Sequence, residues 1–140
     1  MSVGSAIRNR HLMLLAVLAL AQPHASGDLC RHWLAAQHDF GAYRGFYLNF
    51  ENTSAEGKAC TLDTLQLILG VADGRRWRFI VAHPGWRYGQ DYQVRAVIGA
   101  QSAELWLDGV SVGRADGGFT PDAGPLTMNC VPNWASGRKS

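Results

Sequence analysis

Arg95, Glu104 and Trp106 are the side chains whose types and spacing first suggest chemistry. They lie in residues 90–113 (QDYQVRAVIGAQSAELWLDGVSVG), three short alternating runs joined by two tight turns. If Ile98 pairs with Ala103, then Arg95 lies opposite Trp106 and Val97 opposite Glu104, all four on the face away from Leu105 and Leu107. An indole face with a guanidinium beside it and a carboxylate diagonally near suits a sugar, whose ring stacks on the indole while charged groups bond its hydroxyls. The same residues also read as a cation–π pair with a cross-strand ion pair, or as a tryptophan covered by a further strand or a partner domain. Arg76 and Arg78 extend this surface if the strand that holds them is adjacent. Trp86 and Tyr88 flank Arg87 in the loop after Pro84-Gly85; aromatic residues there either recognise a ligand or plug the open end of a core.

Other chemistry finds less support. Glycoside hydrolysis needs two carboxylates held about 5–9 Å apart. The glutamates are Glu51, Glu56 and Glu104; the first two fall in a loop at different strand parity, and the third has no acidic neighbour on its strand. His32 and His38 near Asp39 suggest metal binding or acid–base work, although surface histidines explain them more simply. There is no G-x-S-x-G, no H-E-x-x-H and no phosphate-binding glycine loop. We therefore assign no catalytic residue, no metal site and no cofactor, and an enzyme is the reading least favoured.

The elements that must hold these residues read as strands. Tyr92, Val94, Ala96 and Ile98 share one face; Ala103, Leu105 and Leu107 share the next; Asp108-Gly109 then reverses the chain into Val110 and Val112. A two-residue type I′ turn wants Asp or Asn before Gly because both positions take positive φ, so Asp108 belongs to the turn rather than to a site. Upstream, Phe46, Leu48 and Phe50 alternate with Tyr47 and Asn49. Leu65, Leu67, Leu69 and Val71 make another run, and Asp73-Gly74 turns into Trp77, Phe79 and Val81, which alternate with Arg76, Arg78 and Ile80. Pro84-Gly85 stops that run. Residues 28–37 place Cys30, Trp33 and Leu34 at helical spacing, so a short helix or turn is expected there. Residues 126–130 offer one more strand, and 51–58 a polar loop that includes the sequon Asn52-Thr53-Ser54.

Residues 1–27 read as a signal peptide. Arg8 and Arg10 precede an apolar run of ten, residues 12–21, and small residues follow at Ala21 and Gly27. The run is shorter than the roughly 20 residues that span a bilayer, so no membrane anchor is expected. Residues 28–140 then form one domain, secreted or periplasmic. Of 13 Lys+Arg, Arg8 and Arg10 lie in the leader, which holds no acid; the remainder has 11 cations against 11 anions. That balance removes the main support for a nucleic-acid partner. Cys30, Cys60 and Cys130 allow three pairings, among which the sequence does not choose; Cys60–Cys130 is preferred because both lie at strand edges, and closing that loop stabilises by about 4 kcal/mol in the chain-entropy model.

With some seven short strands and no long helix, the chain is expected to be all-β, an antiparallel two-sheet β-sandwich. Residues 92–134 also resemble laminin G-like and concanavalin A-like jelly-roll domains. There, a strand of the form Y-x-V-x-A precedes one ending L-x-L-D-G-x-x-V. Tyr92, Val94 and Ala96, then Leu105, Leu107, Asp108, Gly109 and Val112, match that form, and Phe119-Thr120-Pro121 and Gly124-Pro125-Leu126 look like the next connection and strand. The resemblance implies a jelly roll, compact or truncated relative to the family, and implies calcium as a possible ligand, with Asp73, Asp91 and Asp116 as loop acids. Its matching residues are structural and speak to fold more than activity. The functional expectation is a non-catalytic module that binds glycan or polysaccharide through Trp106, Arg95, Glu104, Arg78, Trp86 and Tyr88. The alternative is a structural or protein-interaction domain, an accessory part of a larger extracellular protein.

Overall fold

A computed structural model of the chain describes residues 2–9, 14–21, 31–53 and 59–128. The described strands are β1 (Ser2–Asn9), β2 (Leu14–Ala21), β3 (Arg31–Asp39), β4 (Arg44–Asn52), β5 (Leu65–Ala72), β6 (Trp77–Ala82), β7 (Tyr92–Ile98), β8 (Ser102–Leu107), β9 (Val110–Asp116) and β10 (Thr127–Met128). A 3-10 turn, Leu62–Thr64, leads into β5. Among the described residues the strands form two sheets, ordered β1-β2-β7-β8-β9 and β10-β3-β4-β5-β6, with every neighbouring pair antiparallel. The expected all-β, antiparallel two-sheet sandwich is what the chain builds.

Alternation explains the core. Phe46, Leu48 and Phe50 of β4, Leu65, Leu67, Leu69 and Val71 of β5, and Ile80 and Ala82 of β6 turn inward from one sheet. Tyr92, Val94, Ala96 and Ile98 of β7 and Ala103, Leu105 and Leu107 of β8 meet them from the other. Each fully buried leucine or isoleucine removes enough apolar surface from water to favour the folded state by about 1.5–3 kcal/mol. The β7–β8 register is the expected one, Ile98 on Ala103 and Arg95 on Trp106. Asp108 and Gly109 have φ of 50° and 80°, the type I′ turn that Asp-Gly predicts.

Two expectations change, and a third segment is found paired in a sheet. The helix expected over 28–37 is, from Arg31, strand β3. Its pairing with β4 slips between Trp33 and Ala35, and this bulge turns Trp33 outward while Leu34 and Ala35 enter the core. One extra residue breaks the period of two and imitates helical spacing. Second, β6 does not continue the Arg95–Trp106 surface, because it is the edge of the opposite sheet. The connection after β6 crosses between sheets, pinned where His83 Nδ1 (2.7 Å) and Trp86 Nε1 (2.8 Å) meet the Leu65 carbonyl. Third, the apolar run that reads as a leader supplies β2, paired with β7 from Leu15–Ile98 to Ala21–Tyr92, with Leu15, Val17 and Ala19 buried. The cleavage point after Gly27, Cys30, Cys130 and Ser54 of the sequon lie outside the described residues.

Candidate functional site

The outward face of β3, β4, β5 and β6 is an aromatic surface. Tyr47 and Asn49 point out from β4 because Phe46, Leu48 and Phe50 point in. Register sets Trp33 beside Asn49, Ala36 beside Tyr47, and Tyr47 beside Gly70. A Cβ on Gly70 would meet the Tyr47 ring at 2.5 Å. The phenol therefore lies directly on the backbone of β5, where only glycine leaves room. On β6 the side chains that face inward are Ile80 and Ala82, leaving Trp77, Phe79 and Val81 on the outer face.

These residues form a continuous ring network. Trp33 stacks on His38 (5.8 Å, 18°) and meets Tyr47 edge-on (5.6 Å, 61°). Tyr47 approaches Trp77 (5.4 Å), and Trp77 stacks on Phe40 (5.1 Å, 13°) while its Nε1 donates to the Phe40 carbonyl (3.0 Å). Such contacts add roughly 0.5–1.5 kcal/mol per pair beyond area burial.

The connection from β9 to β10 builds a wall against this surface. The Thr120 carbonyl accepts from Gly45 N (2.7 Å) and Thr120 N donates to the Ala72 carbonyl (2.9 Å). Gln37 Nε2 donates to the Gly124 carbonyl (2.5 Å) and Thr127 Oγ1 to that of Ala36 (3.1 Å). The result is a cavity of about 860 Å³. Trp33, Tyr47, His38 and Phe40 give it aromatic walls, and Asp39, Glu51 and Asp122 give it carboxylates. Asn49 lines it while being only 1 % exposed, and its Oδ1 has no hydrogen-bond partner among the described residues. A buried acceptor left unsatisfied costs about 1–3 kcal/mol, which sets this oxygen apart from the bonded polar groups around it.

Two of the cavity's carboxylates share a guanidinium neighbour. Arg44 reaches Asp39 and Asp122 at 3.9 Å each, too long for hydrogen bonds, and its side chain is half exposed. Burial holds His38 below the ordinary histidine pKa, with Asp122 and Asp39 pulling the other way without prevailing. Its neutral form is thus favoured near pH 7. Among the described residues no three His, Cys, Asp or Glu side chains gather as a metal site; Asp73 instead accepts from the amides of Arg75 and Arg76 and pairs with Arg78.

The residues expected from sequence to form one site are dispersed. Arg95 does sit over Trp106, 4.6 Å from the ring centroid, and Ser111 Oγ donates to Glu104 Oε2 (2.7 Å). Arg78 is elsewhere, bound to Asp73 (3.2 Å) and the Gly118 carbonyl (2.6 Å), where it ties two loops together. Trp86 is 5 % exposed and meets Phe50 and Tyr92 edge-on, so it plugs the core; Tyr88, two residues on, is 53 % exposed. Of the cavity, His38 and Asp39 drew attention in the sequence, but Trp33, Tyr47, Asn49 and Asp122 did not. The alternation of Tyr47 and Asn49 against Phe46, Leu48 and Phe50 was the available signal.

No family model matches the chain, and no curated protein matches it.

Proposed function

We propose that the chain is a non-catalytic, exported β-sandwich module that binds glycan chains in the cavity on the outer face of β3 and β4. The observation that carries this reading is Asn49, whose buried carboxamide oxygen has no partner among the described residues and which lines a cleft walled by aromatic rings. Pyranose rings present C–H faces to aromatic side chains and a rim of hydroxyl donors to amide and carboxylate oxygens. Trp33, Tyr47 and Phe40 supply the rings; Asn49, Asp39, Glu51 and Asp122 supply the acceptors. The jelly-roll topology implied by the resemblance of residues 92–134 is part of the same reading, as is a Cys60–Cys130 disulfide.

The test is a titration with a polysaccharide panel, followed by tryptophan fluorescence. Phe40→Ala is the first variant, because Phe40 is 53 % exposed and its loss leaves the core intact. Wild type and Trp106→Ala are expected to bind alike, and Phe40→Ala about tenfold more weakly. Equal binding by Phe40→Ala and Asn49→Ala, or no binding to any member of the panel, overturns the reading. Export is checked separately, by sequencing the N-terminus of protein recovered outside the cytoplasm; a start at Pro23 or beyond is inconsistent only with cleavage after Ala21, and an intact Met1 with cleavage altogether.

A further inference from the structure

We propose that His38 touches the glycan and binds it in its neutral form, so that mild acid releases the sugar. The inference rests on the glycan reading of the cavity and adds to it one contact residue and the condition under which that contact fails.

Strand parity brings His38 to the cavity. Past the bulge in β3, Ala36 faces outward beside Tyr47, and His38, two residues on, shares that side. Its cross-strand partner, Gly45, carries no side chain, and the imidazole meets rings instead. Trp33 stacks on it at 5.8 Å, Tyr47 lies tilted at 5.6 Å and Trp77 stands edge-on at 6.0 Å. The side chain is half-buried and lines the cavity. Among the described lining residues it alone belongs to a type that ordinarily titrates between pH 5 and 8.

Which form binds follows from what surrounds it. Asp39 comes from its own strand and Asp122 from the β9–β10 connection; Arg44 of β4 reaches both at 3.9 Å, and Glu51 of β4 lines the same cavity. From β6 comes the uncharged Trp77. Ring faces and carboxylates favour an imidazolium, while loss of water opposes one. In the free protein burial already prevails over Asp122 and Asp39. A pyranose seated in the cavity excludes more water and brings no charge, so it adds to the side that prevails. The neutral ring also keeps one nitrogen to accept from a sugar hydroxyl and one to donate; the cation can only donate. Linkage makes the effect reciprocal: a sugar that prefers neutral His38 is displaced by protons to the extent that it displaces them.

The experiment measures binding of cellohexaose, laminarihexaose and maltohexaose, all uncharged, by calorimetry between about pH 5 and pH 7.5. A hexasaccharide that binds is expected to do so about three- to tenfold more weakly at the acid end. The His38 ring protons, followed by NMR, are expected to titrate at lower pH with the sugar bound than without it. His38→Gln is expected to flatten the pH profile. Asp122→Asn, which removes a group favouring the imidazolium, is expected to move the fall to more acidic pH. Binding that is level across the range, or tighter in acid, overturns the inference and leaves the glycan reading intact. A fall that survives His38→Gln, or one that vanishes with Asp122→Asn, also overturns it, by assigning the proton to another group. No binding by any hexasaccharide at any pH overturns both.

Discussion

The sandwich has two outer faces, and they differ in how their polar groups end. On β7 and β8, Arg95 lies over Trp106, and Glu104 accepts from Ser111; each prominent group has found a neighbour on the same sheet. On β3 and β4, rings of similar type frame a cavity in which the Asn49 oxygen has found none. Aromatic and charged residues close together do not mark a site by themselves. A face whose groups satisfy one another is plain surface; an acceptor still open among the described residues is where the proposed binding starts.

The largest expected break in this contrast comes from Gly70→Ala. The new methyl group would collide with the Tyr47 ring, so it is expected to cost about 1–3 kcal/mol of stability and to abolish glycan binding. Thermal melting and the fluorescence titration read both; a variant that melts and binds like wild type shows that Tyr47 does not define the cavity. Next is the paired comparison of Phe40→Ala and Trp106→Ala, about tenfold in affinity against none; a reversed order returns the site to the hairpin.

A smaller effect sharpens the other side. A double-mutant cycle on Arg95 and Trp106 is expected to give about 0.5–1 kcal/mol of coupling in stability, as for an exposed cation–π pair. Coupling that appears only with ligand present would make that face a binding surface after all. The smallest effect is a slope. Folded His38 binds its proton less readily than the unfolded chain, so below the ordinary value of 6.5 the unfolded state takes up more protons. Stability falls with pH from there to the folded-state value and is complete above that window. His38→Gln is expected to flatten this limb of a pH-resolved denaturation series. Asp73, whose carboxylate is held below its ordinary value mainly by the Arg75 and Arg76 amides, is shifted in the same sense and also loses stability as pH falls, but in a more acidic window, so the two are separable.

The part of the molecule that was readable in sequence is the part built from near neighbours. The β7–β8 hairpin, its register and the Asp108-Gly109 turn follow from period and turn chemistry. The same holds for β4 and β5. The cavity needs information of a different kind. Trp33 reaches the outer face through a bulge, which erased the alternation that would have identified β3. Asp122 and Gly124 arrive from a loop that hydrogen bonds to residues distant in sequence, such as Gln37 and Gly45. The facing of β6 was hidden for a related reason. Its larger side chains, Trp77 and Phe79, suit either side, and the decision for the outer one rests on Tyr47 and Phe40 waiting there.

One strand has a history as well as a place. β2 combines the composition of a leader with hydrogen bonds to β1 on one side and β7 on the other. A peptidase acts on an accessible extended segment, and a strand flanked on both edges offers none. On the proposal of export, the two fates are therefore separated by timing rather than by relative stability. Cutting first leaves β7 an open edge, a template for any free strand it meets. Folding first seals the segment in. Pairing β2 with β7 joins distant parts of the chain, which is a slow event, so the proposed race between enzyme and sheet would have a measurable clock.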